Sequence, residues 1–195
     1  MKSSRTENRE QKILRVAASR QFDFNIVLEN IHDPHNVSAI FRSCDAVGIP
    51  EVSLVYSTEQ FPRIGKKSSA SAFKWVKSKK YNSIAGCYNN LHERGFKIYA
   101  SSITEKSKSL YNLDLSENTA IVLGNEHRGV SSEAQKLADD NFMIPMHGMV
   151  QSLNVSVAAA VILYEAMRQR QIKGLYPFKK NKSAEIDLID EWILK

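Results

Sequence analysis

The amino-acid sequence predicts an α/β fold: a parallel sheet with helices on both faces. Two observations carry that expectation. Short apolar segments of strand length alternate with helical patterns of about a dozen residues, the signature of βαβ units. Glycine or proline (Pro34, Gly48, Gly95, Gly124, Pro145) punctuates the changes between them. The 195 residues suit one domain with modest appendages, and 43% hydrophobic with 25% charged residues is the balance of a chain that buries a real core.

Residues 7–20 set Ile13, Leu14, Val16 and Ala17 among basic side chains and read as a short amphipathic helix. Residues 24–31 (FNIVLENI) have the apolar density of a buried strand. After Asp33 and Pro34, residues 36–47 space Val37, Ile40, Phe41 and Val47 as a helix does, with Gly48 as its C-cap. Residues 51–56 (EVSLVY) form a second strand. Residues 57–72 are expected to be a mobile loop with one helical turn, and 73–76 a minor strand. A helix over 83–94 ends at Gly95, and 97–100 (KIYA) is a strand. The alternation repeats: a strand over 120–123 (AIVL), a helix over 131–138 capped by Ser131 or Ser132, a short strand over 142–144, a loop over 147–151 and a long helix over 153–171. The tail over 173–182 is irregular and basic, and 184–194 is amphipathic. These boundaries give a basic N-terminal helical arm (1–20), a main domain (21–172) and a basic C-terminal tail with a short helix (173–195).

The net charge of +6 is unevenly spread. Residues 1–20 hold six Lys/Arg against two Glu; residues 63–80 hold seven and residues 168–182 six, with no acid in either. The remainder is net acidic. Such segregation costs self-repulsion, which a polyanionic partner relieves, so nucleic acid is the expected partner. No run approaches the roughly 18 apolar residues of a membrane span. The charged opening has no apolar h-region, so no secretory signal and a cytoplasmic location are expected. Cys44 and Cys87 are too few for a disulfide framework. His32, His35, His127 and His147 lack further ligands at metal spacing, so no metal site is expected.

Ligands of open α/β sheets bind beyond the carboxyl ends of the strands, which directs attention to residues 101–104, 124–129 and 145–152. GNEHRG (124–129) has the glycine spacing of a phosphate loop, but Val130 and Ser131 stand where a Walker loop needs Lys and Ser/Thr. No G-x-G-x-x-G and no G-x-S-x-G occur, which removes the usual support for a Rossmann cofactor or a hydrolase. Glu126 at a strand end either orients a ligand amine or ribose or pairs with Arg128. Singly, Asn36 could be a helix N-cap, Arg42 a surface residue and Ser152 the cap of the long helix. The stripe Val157, Val161, Tyr164 and Met167 reads as core or dimer packing.

Three segments together resemble the signature motifs of the SPOUT-class RNA 2′-O-methyltransferases, in the TrmH-type branch. They are NVSAIFRSCDAVG (36–48, with Asn36 and Arg42), IVLGNEHRG (121–129, with Glu126) and IPMHGMVQSLNVSVAA (144–159, with Ser152 and Asn154). The likeness spans about residues 20–172, and YEAMRQRQ (164–171) is most similar to the enzymes that methylate guanosine 18 of tRNA. The resemblance implies a C-terminal trefoil knot and S-adenosylmethionine (AdoMet) held mostly by backbone at Ser101, Gly124, Ile144 and Leu153. It further implies a homodimer that brings Arg42 towards the partner's cofactor, and methyl transfer to a ribose 2′-OH of tRNA.

In that picture Arg42 stabilises the developing alkoxide, Asn36 and Asn154 hold Arg42 and the ribose, and Ser152 and Glu126 fix the loops. Arg168, Arg170, Arg9 and Lys66, drawn from the three basic segments, are the expected RNA contacts. The stretch before the first strand is short for the separate RNA-binding domain that rRNA-directed members often carry, so tRNA is preferred to rRNA. The alternatives are methylation of rRNA or another tRNA position, and a non-catalytic RNA-binding module of the same fold.

Overall fold

The first strand, β1 (Phe24–Glu29), is buried along its whole length, as a strand covered on both faces must be. It is joined by β2 (Glu51–Val55), β3 (Lys77–Tyr81), β4 (Lys97–Ser101), β5 (Lys108–Ser109), β6 (Thr119–Leu123) and β7 (Asp140–Met143). In this computed structural model, which describes residues 4–62, 72–177 and 182–195, all pairings are parallel and the order is β3-β2-β1-β6-β4-β7-β5. The helices are α1 (Ser4–Ala18), α2 (Pro34–Val47), α3 (Ala72–Trp75), α4 (Ile84–Glu93), α5 (Ser132–Leu137), α6 (Val155–Ile172) and α7 (Lys182–Ile193).

Alternate residues of β1 feed two cores. Phe24, Ile26 and Leu28 pack with Val37, Ile40, Phe41 and Cys44 of α2 and Ile162, Leu163 and Ala166 of α6. Val27 faces the other side, with Ile84, Tyr88 and Leu91 of α4 and Ala134 of α5. The expected parallel sheet with helices on both faces is therefore present. Gly48 caps α2 as expected: its φ is 84°, and a Cβ there would lie 2.5 Å from the Ser19 carbonyl oxygen. Both cysteines are free and buried.

Some elements differ from expectation. The minor strand placed at 73–76 is the short helix α3, which turns Ala72 inward and stacks Phe73 on Phe41 with ring centroids 4.0 Å apart. The strand itself is β3, KSKKY, whose exposed lysines carry no apolar signal; they suit the outer edge of a sheet, where charge discourages pairing with other chains. The two-residue β5 was not foreseen. Of the loop expected at 57–72, residues 63–71 lie outside the described residues. The two ends of the chain meet: Ile13 and Ala17 of α1 are buried against Leu188 and Trp192 of α7. No helix among the described residues is long and apolar enough to cross a membrane.

Asp114, in the turn before β6, accepts hydrogen bonds from the hydroxyl and amide of Ser116 and from Lys173 (2.9 Å) just beyond α6. These partners, with Ser116 first, pull its carboxyl from the ordinary 3.8 down to about 2. A depressed carboxylate stabilises the fold fully above its unfolded pKa and loses that contribution as pH falls through the folded one. The contribution of Asp114 is therefore lost between about pH 4 and 2. Unfolding midpoints measured across that range should fall less steeply in Asp114→Asn than in the parent chain; identical slopes would contradict the assignment.

Candidate functional site

The carboxyl ends of β1, β6 and β4 lie side by side, and the site is built on the loops that leave them. β1 runs into Asn30, which sits at φ 50°. Its side-chain oxygen accepts the backbone N–H groups of Ser57 (3.2 Å), Thr58 (3.3 Å) and Glu59 (3.4 Å), and its carbonyl accepts the Asn125 amide at 2.8 Å. α2 then begins with Asp33 as N-cap, accepting from the His35 amide, and Pro34 in the first turn.

Glu126 closes over this helix start. One carboxylate oxygen accepts the Asn36 side-chain amide (2.9 Å) and the Asp33 N–H (3.1 Å), and the other accepts the His32 N–H (3.0 Å). Burial alone would raise the Glu126 pKa; the hydrogen bonds from Asn36, His32 and Asp33 outweigh it and hold the group below its ordinary value. A carboxylate can only accept, so the Asn36 amide must turn its N–H2 to Glu126 and its oxygen away. That oxygen accepts from Asn154 Nδ2 at 3.1 Å. Asn154 in turn caps α6 by accepting from the amides of Ser156 (2.9 Å) and Val157 (3.4 Å). A continuous relay, Glu126–Asn36–Asn154, thus ties three distant segments together. The cap of the long helix is Asn154; Ser152 lies two residues outside it.

Beside the relay is a cavity of about 630 Å3, within the roughly 300–1,000 Å3 of small-molecule sites. Ser101, Gly124 and Leu153, expected to hold the cofactor, line it, as do Glu126, Ser152 and Asn154. Ile144 is not among the lining residues; it packs against the main core. Two hydrogen bonds stiffen the wall, Ser102 donating to Gln135 (2.9 Å) and Gln135 to the Val130 carbonyl (2.8 Å).

Glycine at 124 is required by its own loop. A Cβ there would lie 2.1 Å from the Gly129 carbonyl carbon, so the constraint is the loop closing on itself, held by Gly129 N–H donating to Asn125 O (2.8 Å). At Gly148 a Cβ would meet open space. Gly124→Ala should force the 124–130 loop outward and weaken binding of AdoMet at least tenfold, with a stability loss of about 1–3 kcal/mol from overpacking. Calorimetric titration and denaturant unfolding would check both; wild-type affinity would refute the close approach.

Arg42 is exposed on the outer face of α2 and makes no ion pair or hydrogen bond among the described residues. It does not line the cavity of its own chain. Of the expected RNA contacts, Arg168 is exposed, its guanidinium forked onto Glu165 by two 2.8 Å bonds, and Arg9 is exposed on α1. Lys66 lies outside the described residues. Arg170 needs correction. It is 1% exposed, donates to Asp23 Oδ1 (2.5 Å), Gln21 and the carbonyls of Leu115, Asp23 and Glu117, and lies over the Phe24 ring. Every donor faces inward, which leaves none for a phosphate.

Residues missed from the sequence include Asn30, Asn125, Gln135 and Glu59. Glu59 gathers the Arg128 guanidinium, the His32 ring (3.3 Å) and the Asn125 amide (3.3 Å) at the mouth of the relay. The Asn125–Arg128 part was within reach of sequence reasoning, since an Asn after a strand-end glycine commonly hydrogen-bonds the backbone two residues on, as Asn125 does with the His127 N–H at 3.0 Å. Among the described residues no cluster of His, Cys, Asp and Glu could hold a metal ion.

Comparison with known proteins gives concordant findings. The profile of the SpoU rRNA Methylase family matches residues 23–164. The chain is 48% identical over 172 residues to a Thermus thermophilus tRNA (guanosine(18)-2′-O)-methyltransferase, covering 88% of each chain. It is 42% identical over 165 residues to the Escherichia coli tRNA (guanosine(18)-2′-O)-methyltransferase, covering 85% of this chain and 72% of that one. Among solved structures it superposes on the Aquifex aeolicus TrmH/SpoU tRNA modifying enzyme with a TM-score of 0.88 at 35% identity, over 97% of this chain and 96% of that one.

Proposed function

Because the chain belongs to the SpoU rRNA Methylase family, we propose that it is the enzyme that transfers the AdoMet methyl group to the ribose 2′-OH of guanosine 18 in the D-loop of tRNA. The family description speaks of rRNA, but the relatives at 42% and 48% identity carry the tRNA name, which favours tRNA. The observation that supports catalysis over mere RNA binding is the Glu126–Asn36–Asn154 relay standing intact beside a cavity of cofactor size.

The residues fit the cofactor. Backbone of the three loops, at Ser101, Gly124 and Leu153, would hold it, with Ile144 supporting the third loop from behind. AdoMet supplies an electrophilic methyl on a sulfonium. The chain must place the 2′-oxygen in line with it and stabilise the charge that develops there. Arg42, whose guanidinium has no partner among the described residues, is suited to that oxyanion. Asn36 and Asn154, oriented by Glu126, frame the ribose, and Ser152 borders the cofactor side.

Since Arg42 does not line its own chain's cavity, a homodimer that presents it to the partner's cavity completes the site. The face of α6 that keeps Val157 49% and Tyr164 51% exposed is the proposed seam. The knot belongs to the same reading: the loops after β6 and β7 share one wall of the cavity, as threading the chain's C-terminal part would require. Such an enzyme acts in the cytoplasm, where tRNA is processed. Arg168 and Arg9 contact phosphate.

Labelled AdoMet, offered with unmodified total tRNA and separately with rRNA, tests the proposal. Label in tRNA that maps to guanosine 18 is expected. Label confined to rRNA would overturn the target, and no label in either would overturn the activity.

A further inference from the structure

The packing of α1 against α7 leaves a second cavity, of about 290 Å3, at the end of the molecule away from the relay. Its wall is unusual in two respects. First, both tryptophans of the chain, Trp75 and Trp192, line it, set edge to face with centroids 5.2 Å apart. Second, its polar side is almost wholly donor. Arg9 and Lys12 stand at the rim, and Lys12 has no partner among the described residues. Arg20, 5.0 Å from the Trp192 ring, is paired with the only acid, Asp45. Trp192 Nε1 and Arg20 Nε are buried and have no hydrogen-bond partner among the described residues; Trp192 and Arg20 are 2% and 0% exposed.

An aromatic wall and a cationic rim describe a ligand that is planar and attached to a negative charge. A nucleobase with its phosphate meets both conditions. The volume lies just below that of small-molecule sites, enough for one planar group and too small for a cofactor. Single-stranded RNA is bound in this manner elsewhere, with unstacked bases on aromatic and arginine planes.

We propose that this cavity takes one unstacked nucleobase of the RNA substrate, with Arg9 and Lys12 on the adjoining phosphate. The inference rests on the RNA-methylation reading and adds a nucleobase contact to it. Arg20 donates to the carbonyls of Asp45 and Ile49, just past the far end of α2 from Asn36. Nine residues of α2 separate Asn36 from Asp45, roughly 14 Å along the helix.

Because both tryptophans lie in this cavity, intrinsic fluorescence reports on it without a label. Titration of the full chain with unmodified tRNA should quench the emission saturably, in step with filter binding, and heparin at matched charge should not. Trp75→Leu should raise the KM for tRNA roughly 5- to 150-fold, the worth of one base–aromatic stack, with affinity for AdoMet intact and Trp75→Phe restoring most of the loss. Lys12→Ala, an exposed change that spares the fold, should weaken tRNA binding and flatten its salt dependence. Filter-detected tRNA binding with unaltered emission, equal quenching by heparin, or wild-type KM in both Trp75→Leu and Lys12→Ala would overturn the nucleobase pocket alone. Absence of any tRNA binding by the parent chain would overturn the RNA reading itself.

Discussion

Replacing Arg42 with alanine should lower kcat for methyl transfer by about 100- to 1,000-fold, the usual cost of removing one oriented donor from a developing oxyanion. The variant should fold normally. Arg42 is exposed and touches no partner among the described residues, and surface changes of that kind shift stability by roughly 0.5 kcal/mol or less. AdoMet should bind as before, since the backbone at Ser101, Gly124 and Leu153 that would hold it is left in place. Arg42→Lys keeps the charge and loses the planar fork, so only part of the rate should return. Single-turnover kinetics with saturating AdoMet and tRNA separate these outcomes. Turnover at the parent rate in Arg42→Ala would remove this residue from the chemistry.

Arg170→Ala should do the reverse: unfold the chain readily without touching the reaction centre. Removing the guanidinium takes the Arg170 partner from the Asp23 carboxylate, whose side chain is 7% exposed. It also removes a donor from the Gln21 side chain and from the carbonyls of Leu115, Asp23 and Glu117, of which the last two keep a bond from Thr119. Breaking a buried pair from one side costs about 3–5 kcal/mol. For a chain of this length that corresponds to a fall in melting temperature of roughly 6–20 °C. Lysine has three donors against five and cannot reach the same acceptors, so Arg170→Lys should rescue little. A melting temperature like the parent's would contradict the clasp. Arg168→Ala, on the exposed side of the same helix, should leave the melting temperature nearly unchanged.

The contrast between these neighbours shows what a sequence displays and what it hides. Alternating apolar runs made the strands and helices of the body legible, and Gly48 marked a real cap, because burial and left-handed backbone constrain residue type directly. Asn36, Glu126 and Asn154, 90 and 118 residues apart along the chain, were legible only through motif resemblance. No local pattern encodes a contact across that distance.

Arg170 was misread for its charge. Its spacing from Leu163 and Ala166, both buried, placed it on the inward face of α6, and Asp23 just ahead of β1 was the partner to seek. β3 stayed hidden because an edge strand of lysines has no apolar period. The union of α1 with α7 was hidden for a different reason: two amphipathic faces announce that each needs a partner but not which.

The position of β6 between β1 and β4 bears on how the molecule comes into being. Phe24–Glu29 is made early, but its neighbour Thr119–Leu123 follows some ninety residues later, and Val155–Ile172, which covers the same face, later still. During synthesis at roughly 5–20 residues per second, one edge of β1 waits several seconds for its partner. Contacts of such sequence separation are also slow to close. Until they do, Glu126 and Asn154 have nothing to bind and α2 lacks its clamp. Catalytic competence is therefore the last property a newly made chain acquires, and the lysine-lined outer edge of β3 guards one flank of the sheet during the wait.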